Sequence, residues 1–392
     1  MRRWLRRYLS AGGRVLWVAA AISFVAGLDP FRGQLAGLFL MAFSLTLGNL
    51  LVGALLRVRL KGDCRLPARA VAGSEVKMMV VATNVSRRSG YDLEATLHRV
   101  IPGLTAGRES VRVDCLDPGE TARFEVSFWA LRRGTYLLGP AYVGSTYPLG
   151  IVRLGNFVGS VQRLLVTPRI HPIHHIRLQS GMRHQPGGVP QASQTGESME
   201  FVGVRDYRQG DSPRKIHWKL WARRGVPVVR EYSQEYFSRI GIILDTFAPP
   251  RPAHFEAALE CVASLASFLD RSDSIVDFFA AGPELYLLSM GRSLGSLERV
   301  LEVLACLQPC LKSPYQGLEG QLQALLPRLS AVMVVTYSSS PERISFLRRI
   351  QLGGAPLRVV AVAAPSERVG DALGVDVSWV DPANVAFDME QL

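Results

Sequence analysis

The sequence predicts two N-terminal transmembrane helices, then an all-β sandwich, then an α/β doubly wound domain. Three observations carry that prediction. An uncharged apolar run from Leu35 to Leu56 is long enough to cross a bilayer. Residues 58–169 alternate apolar and polar side chains in short stretches between turn residues, the period of half-buried strands. From about residue 236, β-branched runs alternate with longer helical patterns, as a mainly parallel sheet requires.

The membrane region is expected over residues 1–57. Val15 to Leu28 is apolar but short, and only Asp29, Pro30, Phe31, Arg32, Gly33 and Gln34 separate it from the longer run. If the second run crosses, the first pairs with it as a helical hairpin, recruiting Gly12 and Gly13 and letting Arg14 snorkel. Arg2, Arg3, Arg6, Arg7 and Arg14 precede the hairpin, while Arg57, Arg59, Lys61, Arg65 and Arg69 follow it, against Arg32 alone in the connection. The positive-inside rule then puts both termini in the cytoplasm, so the expectation is a multi-pass inner (plasma) membrane protein with cytoplasmic soluble domains. A cleaved signal peptide is the rival reading; no small-residue cleavage site follows Leu28, and a second apolar run comes at once. A hydrophobic fraction of 48% agrees with membrane segments.

Charge placement bears on partners. The net charge is +12, yet residues 1–70 hold 11 Lys and Arg against 2 Asp and Glu, leaving 34 basic and 31 acidic residues elsewhere. Most of the basicity is topological, so a nucleic-acid partner is not expected.

Residues 58–169 are expected to form a β-sandwich. Strands read at Val76–Thr83, Leu93–Arg99, Ser110–Asp114, Thr121–Trp129, Gly134–Val143 and Leu164–Thr167, with turns at Asn84 to Gly90, Asp117-Pro118-Gly119 and Arg132-Arg133-Gly134. An Ig-like sandwich accounts for this spacing, acting as spacer or binding surface. Residues 170–195 read as a linker. Its His171, His174 and His175 lack further ligands at metal-binding spacing, and Gln179 to Thr195 is rich in Gly, Ser, Gln and Pro.

Residues 236–392 read as the α/β domain. Strands fall at Ile240–Asp245, Ile275–Ala280, Leu285–Ser289, Val332–Thr336 and Leu357–Ala363; helices fall at Phe255–Leu269, Leu294–Leu307, Leu318–Leu326 and Pro341–Ile350. The five cysteines, Cys64, Cys115, Cys261, Cys306 and Cys310, are odd in number and scattered, which suits reduced, buried thiols; Cys306 and Cys310 sit one helical turn apart.

Between the two soluble domains, residues 196–235 concentrate charge, aromatic and turn chemistry. Phe201, Val202 and Val204 read as a strand, and Gln209, Gly210 and Asp211 as a turn. Asp211 or Ser212 is placed to cap a short helix that starts at Pro213, carries Arg214, Lys215, His217, Trp218, Lys219, Trp221, Arg223 and Arg224, and stops at Gly225. Ile216 and Leu220, four apart, would face inward. Asp211 and His217 form a conceivable acid–base pair, but no Ser or Cys stands in a nucleophile elbow and no glycine loop leads into Lys-Ser/Thr. An internal network, with Asp211 and Glu231 paired to Arg205, Arg214 or Arg230, is the expected arrangement. The remaining possibility is an exposed surface whose Arg forks bind a carboxylate or phosphate.

Glu200, Phe201, Arg205, Tyr207, Gly210, Asp211, Arg214, Ile216, Trp218, Ala222 and Arg223, followed by Arg230 and Glu231, resemble the signature of the domain of unknown function 58 family. Tyr147-Pro148-Leu149-Gly150 ahead of Val166-Thr167-Pro168-Arg169 is similar to a second motif of that family. The resemblance implies that the α/β domain, with its two-strand hairpin after the first helix, is von Willebrand factor type A-like. Such domains hold a metal through Asp-x-Ser-x-Ser after the first strand, with a Thr and a later Asp. Here those positions are Asp245, Phe247 and Pro249, so Asp245 is expected as a remnant that binds no metal and instead caps the next helix or bonds a loop.

The functional expectation is a non-enzymatic, membrane-anchored interaction or scaffold protein without cofactor. By resemblance its partner is a MoxR-type AAA+ ATPase, with related membrane proteins. Arg205, Tyr207, Arg208, Asp211, Arg214, His217, Trp218, Arg223, Arg230 and Glu231 are the candidate contact residues. The alternative is an envelope enzyme that uses Arg205, Arg208 and Arg214 to hold a phosphoanion or sugar phosphate.

Overall fold

The structure, a computed structural model, describes residues 9–27, 33–97, 101–107, 112–176, 200–233, 239–272, 274–281, 285–290, 296–310, 312–337, 340–368 and 376–392. The chain divides into two compact units, Met1–Arg169 with Leu301–Leu307, and Ile170–Val300 with Gln308–Leu392.

The first unit begins with two apolar helices, α1 (Ala11–Ala26) and α2 (Gly33–Leu55). The 20 residues Ala36–Leu55, mean hydropathy 2.0, form one helix long and apolar enough to cross a membrane, since about 1.5 Å of rise per residue gives about 30 Å. Helix α1 is shorter. It includes Gly12 and Gly13 as expected, and Ser10 caps it by accepting the Gly13 N–H at 2.9 Å. The helices meet through Phe24 and Phe39, ring centroids 4.9 Å apart. Arg2, Arg3, Arg6, Arg7, Arg32 and most of the expected connection lie outside the described residues.

After α2 come β1 (Leu60–Arg65), β2 (Arg69–Val71), β3 (Ser74–Asn84), β4 (Gly90–Leu97), β5 (Leu104–Ala106), β6 (Val113–Leu116), β7 (Thr121–Ala130), β8 (Gly134–Leu138), β9 (Ala141–Ser145), β10 (Leu154–Val158) and β11 (Gln162–Thr167). They form sheets in the orders β1-β3-β7-β5, β10-β9-β4-β6 and β2-β11-β8. Strands β3 and β7 pair over ten residues and alternate buried with exposed side chains, so their period of two yields one apolar face. Met78, Val80, Phe124 and Phe128 from that face join Leu93, Val143, Leu138 and Leu164 from the other sheets in one core.

Two expectations need correction. A third sheet, containing the parallel pair β2 and β11, accompanies the two sheets of a simple sandwich. Gly134–Val143 is also two strands in different sheets: Gly139 adopts φ +100°, and Pro140 has no N–H to offer a ladder.

The turn at Tyr147–Gly150 leads into a segment held against the helices. The Asn49 side-chain amide oxygen on α2 accepts the Ile151 and Val152 N–H groups at 3.1 and 2.9 Å. The Ser10 N–H donates to the Ile151 carbonyl at 3.0 Å, and the Ser10 hydroxyl to that of Gly150. A Cβ on Gly13 would come within 2.2 Å of the Ile151 oxygen, so glycine permits the approach. The side-chain oxygen of a buried Asn on a largely apolar helix is thus satisfied by two backbone donors from the β region.

The second unit contains the hairpin β12 (Glu200–Asp206) and β13 (Val228–Ser233), with α3 (Trp218–Arg224) between its strands. Along the chain there follow β14 (Arg239–Leu244), α4 (Pro252–Asp270), β15 (Ile275–Ala281), β16 (Leu285–Met290), α5 (Ser296–Cys306, counted with the first unit from Leu301), α6 (Tyr315–Leu325), β17 (Ala331–Thr336), α7 (Pro341–Leu352), β18 (Leu357–Val362), β19 (Asp376–Val380) and α8 (Val385–Glu390). The sheet order is β16-β15-β14-β17-β18-β19, parallel except for β16 against β15. This doubly wound order, with its antiparallel edge strand after the first helix, is the α/β arrangement that the sequence predicts. Strand β17 is buried throughout, which explains why it reads as a continuous apolar run. Between β14 and β17 the chain switches direction across the sheet, and the carboxyl ends of those strands form the crevice where such folds place ligands.

Candidate functional site

Polar chemistry concentrates in the charged hairpin and at the carboxyl end of the sheet, among other places. In the hairpin, Arg205 at the end of β12 grips Asp211 with both guanidinium nitrogens, at 2.7 and 2.8 Å. The Arg208 N–H donates to the same carboxylate at 2.9 Å, and the Asp211 N–H to the Arg208 carbonyl at 3.0 Å. The Arg205 fork, then the Arg208 N–H, hold the Asp211 carboxyl down to about 2, because both favour the ionised form. One half of the expected internal clasp is therefore present; the Glu231 side chain lies outside the described residues.

The expected single helix is divided. Pro213–Lys215 form one 3₁₀ turn, Ile216 then makes a bridge to Val229, and only Trp218–Arg224 are α-helical. The strand-like bridge explains the division: the His217 N–H donates to the Val228 carbonyl at 2.8 Å, outside any helical ladder. Ser212 makes no side-chain cap bond. The cap is His217, whose Nδ1 accepts the Leu220 N–H at 3.2 Å. Gly225 ends the helix as read, in the left-handed region at φ +73° with its N–H on the Trp221 carbonyl at 2.9 Å. Asp211 and His217 thus have separate partners.

Arg208, Arg214, Arg223, Arg224 and Arg230 are exposed and make no ion pair among the described residues. Beside them Trp218, 62% exposed, stacks on Trp221 with centroids 5.3 Å apart. Tyr207 is exposed as well, its N–H tied to the Pro227 carbonyl at 2.9 Å. The hairpin therefore brings most of the candidate residues onto one short element but offers only part of their charge to solvent, since Arg205 is neutralised by Asp211.

At the sheet end Asp245 follows β14 and is 3% exposed. Its carboxylate accepts the Thr336 hydroxyl at 2.7 Å, the Tyr315 hydroxyl at 3.2 Å, Arg343 Nε at 2.6 Å and the Phe247 N–H at 2.9 Å. Arg343 Nη2 donates onward to the Phe247 carbonyl and, at 3.4 Å, to that of Ala248. The guanidinium lies 5.7 Å from the Phe247 ring centroid and 5.4 Å from that of Tyr337. Burial works against the Arg343 charge, but Asp245 more than offsets it and keeps that group above its ordinary value; burial and then Asp245 push the Tyr315 hydroxyl up. Asp245 does bond its loop as expected, but it does not cap the next helix, whose N-cap Arg251 has no side-chain cap bond.

Sequence reasoning missed Arg343 and Tyr315. One signal was available for Arg343: it sits in the first turn of α7, just after Pro341 and Glu342, where the helix dipole disfavours a cation. A buried basic residue there gains from an acidic partner delivered by another element.

Other candidates resolve more simply. The His171 ring Nε2 meets Glu260 of α4 at 2.9 Å, and the His171 backbone N–H donates to the Ser264 hydroxyl at 2.9 Å. Cys64 and Cys261 are buried thiols, with burial first among the causes that push both up, whereas Cys115 and Cys306 are exposed, against the expectation of buried thiols. Residues 177–195 of the linker lie outside the described residues.

No protein-family model matches the chain, and no curated protein matches it. Among solved structures, the chain is similar to manganese-loaded Plasmodium vivax TRAP protein at 12% identity and TM-score 0.29, over 40% of this chain and 72% of that one. It is similar to the CARDB domain of a Pyrococcus furiosus protein at 13% identity and TM-score 0.20, over 28% and 95%. A Porphyromonas gingivalis protein of unknown function gives 15% identity and TM-score 0.18, over 28% and 46%, so the chain spans about half the length of that relative. At these values the fold assignment rests on the strand order and the antiparallel edge described above.

Proposed function

We propose that this protein is a non-enzymatic, membrane-anchored interaction module, held by a hairpin of α1 and α2, that docks an acidic protein partner through the hairpin of residues 200–233. The observation that carries the reading is the exposed set Arg208, Arg214, Arg223, Arg224 and Arg230 beside the Trp218–Trp221 stack. Arginine and tryptophan dominate the energetics of protein interfaces because a planar fork and a rigid ring give area and directed bonds at small entropic cost. The Arg205–Asp211 clasp holds this surface in shape without using the outer arginines.

The resemblance of the signature to the domain of unknown function 58 family supports a MoxR-type AAA+ ATPase as that partner. The arginine distribution around the helices supports a cytoplasmic placement. The enzyme reading needs Arg205, Arg208 and Arg214 to converge on a phosphoanion; Arg205 already has both nitrogens on Asp211, which counts against it. The test is co-purification of the full chain from detergent extracts, with the partner identified by mass. Recovery of the ATPase with the wild type and its loss on Arg214→Glu with Arg223→Glu, at unchanged melting temperature, is the expected result. Absence of any ATPase from the wild-type extract overturns the reading.

A further inference from the structure

The buried cluster around Asp245 lies where a von Willebrand factor type A-like fold holds a divalent cation, and its residues do not fit one. A hard cation of this size takes about six oxygen ligands. The side chains two and four residues beyond Asp245 are Phe247 and Pro249, which have no oxygen to give. The Asp245 oxygens are themselves already taken by the Thr336 and Tyr315 hydroxyls, the Phe247 N–H and Arg343 Nε. All four are donors, whereas a metal needs lone pairs turned towards it.

We infer that Arg343 is the resident cation of this site: its guanidinium, delivered by α7, stands in for the metal and fixes the loop of residues 246–249 in one conformation that needs no ion. Several observations converge on this role. Nε binds the carboxylate at the end of β14, and that carboxylate in turn binds Thr336 at the end of β17, so one guanidinium ties α7 to both strands of the switch point. Nη2 reaches the Phe247 and Ala248 carbonyls, the kind of oxygen that a metal would otherwise gather. Ala248 adopts φ +37°, an unfavourable conformation for a residue with a Cβ, so the loop needs something to hold it. The loop is also restrained by backbone pairing with Cys310, from the Ala248 N–H to the Cys310 carbonyl at 3.0 Å and from the Cys310 N–H to the Thr246 carbonyl at 2.8 Å, and by the Phe247 N–H on Asp245. Phe247 and Tyr337 flank the guanidinium with their rings, an environment suited to a delocalised cation and unsuited to a small hydrated one. Any partner that docks on this end of the sheet therefore meets a surface whose shape is independent of divalent ions. This inference does not rest on the hairpin's role as a docking surface.

The full chain in detergent micelles tests it. Wild-type melting is expected to stay within about 1 °C across EDTA, millimolar magnesium and millimolar manganese, because the four donors on Asp245 leave no ligand set open at this site for linkage to act on. Arg343→Ala lowers the melting temperature of the α/β unit by roughly 6–20 °C, the cost of leaving a buried carboxylate without its counter-charge. Arg343→Lys keeps the charge but loses the fork, so it is expected to fall between the two, with amide exchange at Phe247 and Ala248 faster than in the wild type. Millimolar methylguanidinium restores part of the Arg343→Ala loss, and methylammonium at the same concentration restores less. A rise of several degrees in wild-type melting with magnesium or manganese overturns the inference, as does an Arg343→Ala protein that melts with the wild type. Should Arg343→Ala fail to accumulate, Arg343→Lys decides the question: wild-type exchange at Phe247 and Ala248 in that variant also overturns it.

Discussion

Replacing Asp245 by Asn is the sharpest probe of the sheet end, because it changes charge and leaves shape nearly intact. Both oxygens of the native carboxylate accept, and four donors converge on them. An Asn amide keeps one acceptor and turns two N–H groups towards groups that are themselves donors. The Thr336 hydroxyl can rotate to accept, but Arg343 Nε cannot, and the guanidinium is left at 8% exposure without a counter-charge. Breaking a buried pair by removing one partner costs about 3–5 kcal/mol, whereas replacing both partners with apolar groups is often close to neutral. With about 2–4 °C of melting temperature per kcal/mol for a unit of this size, Asp245→Asn should melt roughly 6–20 °C below the wild type. The double variant Asp245→Leu with Arg343→Met should recover part of that loss, which makes the two sites strongly non-additive. Intrinsic tryptophan fluorescence during heating reads both, since Trp379 lies in β19 of the same sheet. A shift below about 2 °C for Asp245→Asn, or simple additivity in the double variant, would refute the reasoning.

Two other outcomes follow from the geometry. Asn49→Ala removes the acceptor of two backbone N–H groups, at about 1–3 kcal/mol for each one left unsatisfied, so exchange at Ile151 and Val152 should rise while the apolar helix persists by circular dichroism; unchanged exchange would contradict the contact. The Asp211 carboxyl, held at about 2 in the fold against about 3.9 when unfolded, stabilises the folded hairpin above about pH 4 and loses that effect as pH falls through about 2. Its ¹³C carboxyl signal should titrate near 2 in the wild type and move upward in Arg205→Ala; a wild-type midpoint near 4 would rule out the clasp.

Much of the α/β unit was legible because its signals are local. Buried parallel strands such as Val332–Thr336 are continuous apolar runs, and Pro341 marks its helix start without help from tertiary structure. Strand β19 and helix α8 went unread: Asp376–Val380 mixes polar and apolar residues at an edge of the sheet, and the six residues of α8 are too few for a helical period to emerge. In the β region the long strands β3 and β7 carry clear alternation, while three-residue strands such as β2 and β5 have no period to read. The Gly139-Pro140 break could have been read from residue chemistry and was overridden by the apolar character on both sides.

Of the candidate site, the Arg205–Asp211 pair was within reach because its members are six positions apart across a tight turn. The division of the signature helix was not, because Ile216 leaves the helical path for a bridge to Val229, thirteen positions away in sequence. Arg343 lies 98 positions from Asp245, a pairing that only the strand order brings about.

The central claim is that the outer arginines of the hairpin are a docking surface for an acidic ATPase. Affinity of the purified full chain for that ATPase, measured in detergent at low and at raised salt, tests it most directly. The account predicts binding that weakens with salt, that Arg214→Glu with Arg223→Glu abolishes, and that Trp218→Ala weakens, all at unchanged melting temperature. Binding equal to wild type in the charge-reversed protein would contradict it.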